Sequence, residues 1–210
     1  MSSVEQAAPG VAEWYAAEVL PVAAKLPVVG RSWLIESVDF PEQHGPGLPQ
    51  LIAVYESVDV ASLPEAYHPD PAEWEASAGV SGARGSARQV LADFWFASPR
   101  GTWWCSVRAD CAETDLARAN WERFEHWYTF EHVGETVTAE GFHEGWRLGH
   151  ELLSTAPSKH HRHQRWAMYE LTKPEDIMIH VRKAPLKAIW NDTIDHSTFG
   201  RTYHRVVATV

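Results

Sequence analysis

Cysteine is almost missing from this chain: Cys105 and Cys111 are the two among 210 residues. Two thiols make no disulfide framework and lack Cys-x-x-Cys spacing, so a reducing cytoplasm is the expected location and structural zinc is disfavoured. Long apolar runs are missing too. No stretch approaches the roughly 18 residues read as a membrane helix, and Met1-Ser2-Ser3-Val4-Glu5-Gln6 lacks the basic and apolar regions of a secretory leader. Positive charge is scarce, with 18 Lys and Arg against 28 Asp and Glu, a formal charge of −10. Nucleic acid and anionic membranes need clustered cations and are therefore excluded as partners, which leaves a small-molecule substrate, with homo-oligomerisation open. A glycine-rich phosphate loop and a Gly-x-Ser-x-Gly elbow are also absent, which disfavours a nucleotide cofactor and a serine nucleophile.

Tryptophan, in contrast, is abundant, at 11 residues. Most should pack a core, since no side chain carries more apolar area, and some should wall a flat ligand pocket. The tryptophans also mark a repeat. Trp14-Tyr15-x-x-Glu18-Val19 returns as Trp127-Tyr128-x-x-Glu131-His132. Trp33 follows Trp14 by 19 residues and Trp146 follows Trp127 by 19. The segment from Gln50 to Glu56 then matches that from Gln164 to Glu170, with one residue of slippage. Such self-similarity predicts an internal duplication, residues 1–98 and 99–210.

Three- and four-residue apolar steps predict a helix over 11–26 closed by Pro27. Strands are expected at 31–40, 51–58 and 88–96, a Gly/Pro loop at 41–49 and a helix at 60–78. The second half reads as strand 102–110, helix 114–138, strand 143–150, loop 154–163, strand 164–171, helix 174–193 and strand 201–209. Its first strand has no visible counterpart ahead of Trp14. Strand, helix, strand, strand, helix, strand is the split βαβ order of a ferredoxin-like unit.

With Trp127-Tyr128-Thr129-Phe130-Glu131-His132, Gly145-Trp146-Arg147-Leu148 and Ala167-Met168-Tyr169-Glu170-Leu171, the chain resembles the dimeric α+β barrel superfamily, which includes EthD-like proteins and antibiotic-biosynthesis monooxygenases. The resemblance implies an α+β fold of two ferredoxin-like repeats closing one intramolecular barrel. It also implies a histidine in the pocket at the position of His132. The superfamily spans isomerases, cyclases, lyases, cofactor-free oxygenases and haem proteins, so the reaction has to be argued from the site itself.

Asymmetry between the repeats selects the candidates. His132 stands where the first half has Val19, so the scaffold does not need an imidazole there; near neutral pH it can take and give a proton. Tyr128 lies one helical turn before it, and Trp121 and Glu125 share the stripe. His132 and Tyr128 are the expected catalytic pair. Trp121, Trp146, His143, Arg147, Arg165 and His204 are the expected substrate-binding residues, the arginines because a guanidinium fork suits a carboxylate or enolate. The run His160-His161-Arg162-His163 lacks fixed partners, so no metal is expected. The expected function is a cofactor-independent enzyme for a small aromatic or polyketide-like compound, of isomerase, cyclase/lyase or oxygenase type. Two alternatives stand beside it: a haem enzyme with His180, His196 or His204 as axial ligand, and a non-catalytic ligand-binding protein.

Overall fold

Eight antiparallel strands close into a barrel, in the order β1-β4-β3-β10-β7-β9-β8-β6. A computed structural model of the protein describes residues 2–4, 6–40, 50–57, 80–81, 84–95, 100–154, 165–183 and 188–210. In chain order the elements begin with β1 (Ser2–Val4), β2 (Gln6–Ala7) and α1, which runs Val11–Trp14, a π-helical turn Tyr15–Val19 and Leu20–Ala23. Next come β3 (Val29–Val38), β4 (Leu51–Ser57), β5 (Val80–Ser81), β6 (Arg84–Trp95) and β7 (Trp103–Ala109). Helix α2 follows as Asp115–His126, a π-helical turn Trp127–His132 and Val133–Val137. The chain ends with β8 (Phe142–Ser154), β9 (Arg165–Leu171), α3 (Glu175–Lys183), α4 (Ala188–Thr193) and β10 (Gly200–Thr209). Strands β2 and β5 form a separate two-stranded sheet. No described helix is long and apolar enough to cross a membrane.

Each half of the chain supplies four neighbouring strands, β6-β1-β4-β3 from the first and β10-β7-β9-β8 from the second. Two seams join them: β3 pairs with β10 and β6 pairs with β8, so neither half leaves a free sheet edge. The expectation that the first half lacks its opening strand is corrected here. Ser2–Val4 pairs with β4 on one side and β6 on the other. Three residues with one apolar member are too short for alternation to reveal them. Two helices also differ from expectation. α1 stops at Ala23, where the expected helix ran to 26, and the expected helix 174–193 is two helices, α3 and α4. The expected helix 60–78, the loop 41–49 and His160 to His163 lie outside the described residues.

The tryptophan landmarks fall on corresponding elements. Trp33 and Trp146 sit on β3 and β8, Tyr55 and Tyr169 on β4 and β9, and Trp14 and Trp127 at the edge of the π-turns of α1 and α2. Period two sends alternate strand residues to opposite faces. The inner face fills the barrel with Trp33, Trp104, Trp146, Trp166, Ile35 and Met168. Trp104 stacks on Trp146 at 4.8 Å, and Trp33 meets both edge-on at 5.2 and 5.9 Å. The barrel interior is thus packed rather than open. The outer face carries the helices: Leu34, Leu51 and Ala53 pack under α1 with Tyr15, and Cys105, Ala167 and Tyr169 pack under α2 with Phe124 and Tyr128. Gly145 is required beneath α2, because a Cβ there would lie 2.6 Å from Val137 Cγ1. The bare backbone lets the helix settle on β8.

Candidate functional site

Helix α2 starts at Thr114, whose hydroxyl accepts the Ala117 amide at 3.1 Å, and the chain then turns helically toward β8 and β9. Its π-turn Trp127–His132 widens the spacing in a segment that carries Trp127, Tyr128 and His132, and such insertions often sit at functional sites. The stripe Trp121, Glu125, Tyr128 and His132 meets Arg147 of β8 and Arg165 of β9. Glu125 gives one oxygen to Arg147 Nη2 at 2.6 Å and the other to Arg165 Nε. The Arg147 guanidinium lies 4.2 Å over the Tyr128 ring, and Arg165 lies 6.0 Å from the Trp121 ring. His132 stacks on Trp127 at 5.0 Å and tilts against Tyr128 at 4.9 Å.

Burial grades this cradle from floor to mouth. Tyr128, Tyr169 and Arg147 are buried, while Trp121, Glu125, His132 and Arg165 are partly exposed. Burial raises the Tyr128 phenol above its usual range, opposed by the nearby Arg147, so it stays protonated and can donate a hydrogen bond. Tyr169, beside it, is raised further for the same reason. Two guanidinium groups stand beside a neutral phenol, a setting that stabilises a developing oxyanion.

The remaining expected residues lie elsewhere. Trp146 and His204 face the barrel interior, on the opposite side of the sheet from Tyr128, so strand parity separates them from the cradle. His204 is fully buried, and its two ring nitrogens contact Ser37 Oγ at 3.1 Å and Ser106 Oγ at 3.0 Å. Burial, aided by Arg108, pushes it down to about 3, so it is a neutral polar plug whose nitrogens are both engaged. As an axial haem ligand it would have to lose one of those contacts. His196 is exposed on the turn before β10, and the His180 side chain lies outside the described residues. His143 contacts Thr172 Oγ1 at 2.8 Å, four residues along β8 from Arg147 and therefore roughly 13 Å away.

Two more polar features lie outside the cradle. At one end of the barrel the carboxylate oxygens of Glu56, Asp93 and Glu144 come within 4.8 Å of one another. Arg31 bonds both Glu56 and Glu144 at 2.6 Å, so its guanidinium holds that cluster. A groove of about 580 Å³ runs along the outer side of α2, lined by Glu122, Arg123, His126, Trp127, Glu131 and Ile189. Its walls are mostly solvated charges, and Trp127, which also lines it, stacks on His132. Tyr169 and Arg201 of β10 were not among the expected site residues. Only cross-strand pairing shows that Arg201 shares the outer face with Arg147.

No protein-family model matches the chain, and no curated protein sequence matches it significantly. Solved structures do share its fold. An anthrone oxidase-like protein matches with a TM-score of 0.64 at 9% identity, covering 100% of this chain and 90% of its own. Proteins from Fusobacterium nucleatum and Lactobacillus acidophilus, each provisionally ascribed a monooxygenase role, match with TM-scores of 0.57 at 10% and 11% identity. They cover 99% and 98% of this chain, and 91% and 90% of their own. The chain thus shares the α+β barrel fold of these solved structures.

Proposed function

We propose that the chain is an oxygenase-type enzyme that works without a bound cofactor on a small phenolic aromatic compound, with its reaction centre in the cradle between α2 and strands β8 and β9. The observation that carries this reading is a contrast between the halves. Glu125, His132, Arg147 and Arg165 stand where the matched positions of the first half hold Ala12, Val19, Leu34 and Leu51, and those four pack together in hydrocarbon contact with Tyr15. Burying a charge network costs more than burying hydrocarbon, so one set beneath α2, where the same scaffold accepts alkyl groups, points to chemistry rather than folding. We read the halves, residues 1–98 and 99–210, as two ferredoxin-like repeats of a duplicated unit, the second carrying the site.

In this reading His132 removes a proton from an activated ring methylene or phenol. Arg147 and Arg165 hold the resulting oxyanion, and protonated Tyr128 donates a hydrogen bond to it. The electron-rich anion reduces dioxygen by one electron, and the radical pair combines to a peroxide. Loss of water then leaves a carbonyl, so that CH2 plus O2 gives C=O plus H2O. The name of the anthrone oxidase-like neighbour fits this chemistry. The test is oxygen uptake with a hydroxyanthrone under ¹⁸O2. Label in the new carbonyl, lost in His132→Ala, is expected; uptake no faster than in buffer would sink the proposal.

A further inference from the structure

The outer face of the second-half sheet contains one cross-strand row whose two ends are arginines. Arg201 of β10 pairs with Val107 of β7, Val107 with Ala167 of β9, and Ala167 with Arg147 of β8. Between the arginines the floor is small and apolar, and Tyr128 comes down on it from α2. The two ends are treated differently. Arg147 shares the Glu125 carboxylate with Arg165, although its Nε, like that of Arg201, has no hydrogen-bond partner. Arg201, 7% exposed, has no carboxylate within ion-pair distance among the described residues, and its Nε has no hydrogen-bond partner. Its polar contact is Nη1 to the Met178 sulfur at 2.9 Å, beside the Phe199 ring at 5.6 Å.

A thioether is a weak acceptor and a ring face only a weak partner for a cation, so this guanidinium is buried without an anionic partner among the described residues. We propose that Arg201 receives a carboxylate of the molecule bound in this cradle, which makes the ligand an aromatic acid rather than a neutral arene. The inference rests on the cradle being the ligand site. A planar carboxylate matches the guanidinium fork, and the apolar floor of Val107 and Ala167 leads from it toward Tyr128 and Arg147. Ligand orientation follows: acid group at β10, reacting ring carbon under the α2 stripe.

The test compares 2-naphthoate with its uncharged isostere 2-naphthamide, titrated calorimetrically at constant ionic strength into the wild type, Arg201→Met, Arg201→Lys and Trp121→Ala. The wild type should prefer the acid by on the order of 10- to 100-fold, the span of a charge-assisted hydrogen bond. Arg201→Met should lose that preference while melting no lower than the wild type, since it removes a buried charge without an anionic partner among the described residues, and Arg201→Lys should keep part of it. Equal binding of the two probes by the wild type, or a preference that survives in Arg201→Met, would overturn the inference. If both probes bind equally and Trp121→Ala weakens both, the cradle stands and only the carboxylate receptor falls. If neither probe binds the wild type, the inference and the cradle reading fall together.

Discussion

Under α1 and under α2 the protein covers the same kind of sheet in two chemically opposite ways. Both helices carry a π-turn, and both lower a tyrosine toward a strand tyrosine: Tyr15 meets Tyr55 hydroxyl to hydroxyl at 2.6 Å, and Tyr128 lies against Tyr169. Around the first pair the neighbours are Ala12, Val19, Leu34 and Leu51; around the second they are Glu125, His132, Arg147 and Arg165. The alanine side leaves a groove of about 360 Å³ lined by Ala12, Gln50 and Leu51 together with the charged Glu13, Glu36 and Arg205 at its rim. The shared features hold the helix on the sheet, and the unshared ones are free to do chemistry.

The sharpest way to break this comparison is to treat matched positions alike. Once a substrate is in hand, His132→Ala should lower turnover by about 10²- to 10⁴-fold with the fold retained, whereas Val19→Ala should leave turnover unchanged. Equal activities measured for the two variants would erase the functional distinction between the halves.

A second test asks whether the charges serve the fold. Glu125→Ala strands the Arg147 guanidinium, which is 3% exposed, and should cost about 3 kcal/mol in urea unfolding. Replacing Glu125, Arg147 and Arg165 with the first-half residues Ala, Leu and Leu should recover that loss while abolishing activity. A triple variant as unstable as the single one would show that the network is structural.

Smaller effects sharpen the comparison where the halves meet. Trp33 and Trp146 occupy corresponding places in the barrel core, so Trp33→Phe and Trp146→Phe should destabilise by similar amounts, roughly 1–2 kcal/mol each. Chemical denaturation in which one variant loses more than twice as much stability as the other would show that the interior is not shared evenly. Glu144 stands where the first half has Arg31, and burial pushes its carboxyl up to about 7, against the pull of Arg31 itself. Its folded value lies above the unfolded one, so the associated stability is complete below about pH 4.5 and is lost as pH rises through 7. Melting temperatures between pH 5 and 8 should therefore fall more steeply for the wild type than for Glu144→Gln.

Much of the strand order was legible because tryptophans and tyrosines recur at fixed spacing and period two is robust in long strands. The convergence of Trp121, Glu125 and Tyr128 was legible as well, since four-residue steps define one helix stripe. Facing was not. Whether Trp146 or Arg147 points to the helices depends on strand parity, and a single sequence leaves parity open until pairing is known. The residues that proved internal, Trp146 and His204, were grouped with the cradle on chemical type alone. Ser2–Val4 was missed because a strand held by partners on both sides needs little sequence signal of its own.

The seams β3–β10 and β6–β8 have a consequence for dilution. A barrel assembled from two separate chains loses its seams as concentration falls, whereas here both partners of each seam travel on one polypeptide, and closure is a first-order event at any concentration. Single-copy encoding also frees the positions that face each other across the barrel. Two identical chains would place like against like there; this chain sets Arg31 against Glu144 at 2.6 Å, a pairing open only to a barrel whose two sides are written separately.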